Sequence, residues 1–127
     1  MSVKIVNMTG KDIVFKDILI PKGEEAIRIA SMIAAIDMEI NGIPCYAEVK
    51  RKYGLAFGAD QSETIIVEDL DTILPDMEED TFVCVGADVF QEVKAFLPWR
   101  FDVCMMADGN GFLFNATKSA DFSKFEQ

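Results

Sequence analysis

The stretch Thr81-Phe82-Val83-Cys84-Val85-Gly86-Ala87-Asp88-Val89-Phe90-Gln91-Glu92-Val93-Lys94-Ala95-Phe96-Leu97-Pro98 decides the fold class. Its first five residues are an apolar, β-branched run closed by glycine, the pattern of a buried strand. After Gly86 the period changes. Val89, Val93, Phe96 and Leu97 recur at helical spacing with Phe90 beside them, while Asp88, Gln91, Glu92 and Lys94 fall elsewhere. Pro98 has no amide hydrogen and closes the pattern. The spacing predicts one main helix over about 87–97, set among strands.

Around this unit the pattern is β throughout. Downstream, Phe101–Ala107 and Phe112–Ala116 flank Asp108-Gly109-Asn110-Gly111, a hairpin candidate, and Ser119–Gln127 carries two phenylalanines expected to dock. Upstream, Asp76–Asp80 reads as an acidic turn, Thr64-Ile65-Ile66-Val67 as a buried strand, and Gly54 and Gly58 as loop markers. Val3–Met8 alternates; Asp12–Phe15 and Asp17–Ile20 are short strands closed by Pro21-Lys22-Gly23; Ala26–Ala30 is a further strand. Ser31–Ile36 suits a strand or a buried helical turn. Asn41-Gly42 between Asp37–Ile40 and Ile43–Val49 is the strongest local signal, because a type I′ hairpin needs positive φ at both turn residues. Pro44 puts its strand at an edge or gives it a missing ladder donor. The expected fold is α+β: a single compact β-rich domain over 1–127, built of short antiparallel strands and hairpins with one main helix.

Composition narrows the chemistry. The chain has 22 Asp+Glu, 12 Lys+Arg, no histidine and a formal charge of −10. Without histidine there is no Ser-His-Asp triad, Cys-His dyad or histidine metal site. No phosphate-cradling G-x-x-x-x-G-K-[ST] or G-x-G-x-x-G occurs, and the acidic fragments lack the glycine and terminal glutamate of an EF-hand loop. Cys45, Cys84 and Cys104 are widely spaced; the last two sit in apolar strands as inert thiols, and Cys45 alone has Lys50 and Arg51 near it in sequence. No enzyme activity, cofactor or metal is expected. The longest uncharged stretch is nine residues, Gly109–Thr117, far short of a membrane span, and the N-terminus has no signal-peptide pattern. A cytoplasmic protein with reduced thiols and no membrane association is the expectation.

The charge is unevenly placed. Residues 53–93 hold 11 of the 22 acids and no Lys or Arg, so the remaining chain is nearly neutral. The six residues singled out there are Asp69, Asp71, Asp76, Glu78, Glu79 and Asp80, as an acidic surface that meets a protein partner. The alternatives are a solvated face that keeps the chain soluble, imitation of nucleic-acid phosphates, and a divalent-cation site. Generic nucleic-acid binding is excluded on that face. Two basic-aromatic groups, Tyr46 with Lys50, Arg51 and Tyr53, and Trp99 with Arg100, offer cations beside π faces for a small anionic, nucleotide-like ligand. Their plain alternatives are edge-strand charges at 50–52, and an Arg100 paired with Asp102 or another acid under a packed Trp99.

Val3-Lys4-Ile5-Val6-Asn7-Met8-Thr9, Ile18-Leu19-Ile20-Pro21-x-Gly23, Ala26-Ile27-Arg28-Ile29 and Asn41-Gly42-Ile43-Pro44 together resemble a group of small bacteriophage and prophage proteins. That group has an N-L-T-x-H-type start, an I-P-x-G turn and an N-G-I-P hairpin. The strand Thr81–Val85, Arg100-x-Asp102-Val103 and Asp108-x-x-Gly111 are similar to its C-terminal half, so the resemblance touches most of the chain. This sequence lacks the early histidine and adds the acidic stretch around Asp69–Asp80. The resemblance implies a phage context and a fold, and brings no catalytic residue. The expectation is a phage- or prophage-type accessory protein that binds a protein partner, of host or phage origin, with counter-defence inhibition one role within that class. A nucleotide-sequestering binder and a structural virion or assembly protein, the latter a homo-oligomer, stand beside it.

Overall fold

The computed structural model describes residues 3–30, 32–50, 52–58 and 60–115, the side chains of 32, 33, 48–50 and 109 excepted. Strands β1 (Lys4–Asn7), β2 (Ile13–Phe15), β3 (Ile18–Ile20), β4 (Ala26–Ile29), β5 (Met32–Ile40), β6 (Ile43–Lys50), β7 (Tyr53–Phe57) and β8 (Glu63–Val67) come first. A 3-10 turn at Leu70–Thr72 comes next, then β9 (Thr81–Cys84), α1 (Ala87–Phe96), β10 (Val103–Met106) and β11 (Phe112–Phe114). This is a single small α+β domain.

The organising unit is β9–α1–β10. Parallel neighbours cannot be joined by a tight turn, and α1 supplies the crossover. β9 lies between β1 and β10, parallel to both, with Lys4 opposite Thr81 and Val103 opposite Val83; β11 adds antiparallel to β10. The other pairs, β2–β3, β4–β7–β8 and β5–β6, are antiparallel. Parallel pairing of β1 with the distant β9 is the feature that the local patterns do not foretell.

Alternation then divides the core. Val83, Val85 and Val103 face Val89, Phe90, Val93 and Leu97 of the helix side, joined by Ile27, Tyr53, Leu70 and Leu74. Cys84 and Cys104 face the opposite way onto Ile13 of the β2–β3 hairpin, with Phe114 stacked edge-on to Phe82 at 5.1 Å between ring centroids. A strand covered on both faces needs a near-continuous apolar run, which 81–85 supplies. Each fully buried Val or Phe contributes about 1.5–3 kcal/mol. Phe96, assigned above to the helix's core stripe, is instead 64% exposed, because Phe90 and Val93 take the inward positions. Glu92 is buried instead, and accepts a 2.9 Å hydrogen bond from the Tyr53 hydroxyl.

The I-P-x-G turn has a steric cause. The Gly23 amide donates to the Asn7 carbonyl at 3.0 Å, and a Cβ on Gly23 would stand 2.9 Å from that oxygen. Buried Asn7 ties the turn together, donating to the carbonyls of Lys11 and Ile20 and accepting from Thr9. The Asn41-Gly42 turn forms with φ of 53° and 79°, so the hairpin expectation holds. The ambiguous 31–36 stretch is strand from Met32 onward. Gly54 is not a loop marker: it lies within β7, where a Cβ would press to 3.2 Å from Thr64 Cγ2 across the sheet. The stretch Ser119–Gln127 lies outside the described residues.

Candidate functional site

Residues 68–80 connect β8 to β9 and hold all six acids singled out from sequence. The 3-10 turn is set by Asp69, whose carboxylate accepts from the Asp71 amide at 3.1 Å and whose carbonyl accepts from the Thr72 hydroxyl at 2.6 Å. Leu70 and Leu74, four apart, drop into the core beside Val89 and Phe90. Asp69, Asp71, Asp76, Glu78 and Glu79 are thereby exposed, and Asp80 is half-buried. The far end is closed by the Lys4 amide, which donates to the Asp80 carbonyl at 2.8 Å.

Arg100 fixes the middle of the connection. It is 4% exposed, beside an Asp102 that is 1% exposed. Its Nε donates to Asp102 Oδ1 at 3.0 Å and its Nη2 to Asp102 Oδ2 at 3.1 Å, a fork-on-fork pair. Nη2 also donates to the Pro75 carbonyl, and Nη1 reaches Asp71 Oδ1 at 3.5 Å. Burial by itself would lower the Arg100 pKa. The hydrogen bond and charge of Asp102, with Asp71 behind, outweigh burial and hold it above its ordinary value. The cation thus serves as a clamp between the core and the connection. Asn115, also buried, donates to the carbonyls of Leu97 and Arg100 and holds the clamp's backbone.

Of the basic-aromatic residues, two are already engaged within the fold. Arg100 is committed to Asp102, Asp71 and Pro75, and Tyr53 is buried against Glu92. Trp99 and Tyr46 are both exposed, on the turn after α1 and on the β5–β6 hairpin respectively. Arg51 and the Lys50 side chain lie outside the described residues. Of the plain alternative for Trp99-Arg100, the Arg100–Asp102 pair is present and the packed Trp99 is not.

Among the described residues, cavities adjoin the sheets at two places. One of about 240 Å³ opens at the C-terminal ends of β9 and β10, beside Gly86 and Ala87 at the start of α1. Open parallel sheets bind ligands in that position. Asp12 lines it, and Asp88 in the first turn of α1 accepts from the Val89 amide at 2.8 Å, so the charge at this end of the sheet is unfavourable to an anion. The other, about 340 Å³, has an apolar floor of Leu55, Phe57 and Ile65 and a rim of Glu24 and Glu25. Neither glutamate was singled out from sequence, since nothing local joins them to β7 and β8.

Cys84 and Cys104 are adjacent across β9 and β10 and fully buried. The hydrogen bond with Cys84, then burial, pushes the Cys104 thiol well up. Among the described residues no three Cys, Asp or Glu side chains converge as metal ligands, and no helix is long and apolar enough to cross a membrane. No protein-family model, curated protein or solved structure matches this chain.

Proposed function

We propose that this is a phage- or prophage-type accessory protein that acts by binding a protein partner through the acidic face of residues 68–80. One observation carries the reading: Asp69, Asp76, Glu78 and Glu79 stand exposed on a connection held to the core by Leu70, Leu74 and the Arg100 clamp. Like charges fixed on an ordered segment repel one another, and a basic partner relieves that repulsion. A surface ordered in advance also loses less conformational entropy on binding than a free loop. The phage resemblance favours a host protein in the bacterial cytoplasm as the partner, with inhibition of a defence protein as the outcome. The test is cross-linking in host lysate with the natural chain and with D76N/E78Q/E79Q/D80N. The natural chain should capture a specific partner that the variant loses; undiminished capture contradicts the proposal.

A second reading, an assembly protein, is favoured by the β5–β6 hairpin. Ile40 and Ile43 pair directly near its tip, and with Ile36 and Met38 they stand exposed, with no third strand beside them among the described residues. A two-stranded hairpin is marginal alone, and a second copy of the chain would cover this one. A fixed oligomer in light scattering that I40S/I43S reduces to monomer supports this reading, and a monomeric natural chain removes it.

A further inference from the structure

The three-stranded sheet ends on β8, and among the described residues no strand lies against its outer edge. Folded proteins guard such an edge with lysine, proline, a bulge or a covering segment. β8, Glu63-Thr64-Ile65-Ile66-Val67, has neither lysine nor proline, and its pairing with β7 runs from Tyr53–Val67 to Phe57–Glu63 without a shift. Four of its residues are β-branched, and Ile65 and Ile66 are 49% and 51% exposed. This backbone is competent to accept another strand.

Its charges select the kind of strand. Glu63 opens β8, Asp69 lies just beyond it, and Glu24 and Glu25 rim the neighbouring cavity. A second copy is a poor occupant. Antiparallel self-pairing about Ile66 sets Glu63 opposite Asp69 at both ends. Pairing about Ile65 leaves Glu63 diagonal to Asp69, and parallel pairing in register stacks each acid on itself. Like charges across a ladder are destabilising. A basic strand meets an acid in each of these places.

We infer that β8 takes up an extended, basic segment of a partner protein as an added strand. One long basic side chain of that segment enters the 340 Å³ cavity, its alkyl stem on Leu55, Phe57 and Ile65 and its charged head at Glu24 and Glu25. The register places Leu55 opposite Ile65 and Phe57 opposite Glu63, so this cavity and Glu63 share one side of the sheet. Backbone hydrogen bonds supply affinity and the cavity supplies selection. The inference rests on the reading of the protein as a binder of a protein partner, and gives that binding a mode.

The test uses the full chain and a synthetic nine-residue peptide alternating lysine with valine and threonine, with a glutamate-for-lysine counterpart. Affinity is read by fluorescence anisotropy and contact by amide hydrogen exchange. The lysine peptide should bind and slow exchange of outward β8 amides at least tenfold, and the glutamate peptide should not. I66K places a guarding lysine at an exposed position and should weaken binding at least tenfold; E63Q, which leaves the fold untouched, should weaken it severalfold. Loss of peptide binding in D76N/E78Q/E79Q/D80N, with β8 exchange unchanged and I66K neutral, would overturn strand addition and leave the acidic-surface reading standing. Absence of binding by the lysine peptide would overturn the inference, while the lysate cross-linking separately decides the broader reading.

Discussion

β8 and β9 are short, mainly apolar strands that both carry β-branched residues, yet they occupy opposite situations. β9 lies between β1 and β10, with Phe82, Val83 and Cys84 buried, whereas β8 ends its sheet with Ile65 and Ile66 half-exposed. The cause is the segment into which each strand leads. After β9 the helix returns across the strand and covers it, and β10 then pairs alongside. After β8 the chain leaves in an acidic connection whose leucines dip into the core while its carboxylates stay in water. Burial belongs to the neighbours a strand acquires, and an apolar strand left at an edge is a surface for another chain.

The contrast can be broken by paired substitutions. V83K places an unpaired charge at the centre of the core and should remove more than about 4 kcal/mol of stability, leaving little folded protein. I66K should change stability by about 0.5 kcal/mol or less, as for an exposed site. Parallel thermal melts by circular dichroism read both, and similar losses would mean the two strands are buried alike.

D102A tests the clamp between the regions. It strands a buried guanidinium and should cost about 3–5 kcal/mol. It should also speed exchange of the amides at 70–74, because Arg100 then loses its orientation toward Asp71 and Pro75. A smaller effect is expected of Y53F, which removes the hydrogen bond to buried Glu92 at a cost of about 1–2 kcal/mol in urea unfolding. Smallest in stability terms is thiol reactivity. Native protein at pH 8 should be alkylated at Cys45 and spared at Cys84 and Cys104. The raised Cys104 sets the sign of the pH dependence: its neutral form is favoured in the fold, so its contribution is complete below the ordinary thiol value near 9.0 and declines as pH rises above it.

What the sequence disclosed was local. Asn41-Gly42 announces its turn because both residues must take positive φ, and 87–96 announces its helix through spacing and Pro98. The pairing of β1 with β9 joins residues far apart in the chain, where no local signal acts. Ile65 and Ile66 read as core because an apolar run is the same string in a sheet's centre or at its edge. Phe96 shows the same limit on a helix, where spacing admits a residue to the stripe and packing turns it out. At the site, the acids of 69–80 were visible as an imbalance of charge. Their anchorage was not, since Leu70, Leu74 and Arg100 act through tertiary contacts. Glu24 and Glu25 reach β7 and β8 only through the fold.

The most direct test is residue-resolved amide hydrogen exchange over 63–85 in the free protein. Amides of 81–84 should exchange only with global unfolding, those at 72–74 should be strongly protected, and the outward amides of β8 should exchange orders of magnitude faster. Uniformly rapid exchange from 68 to 80 would contradict an anchored acidic surface, and slow exchange at every β8 amide would contradict an open edge.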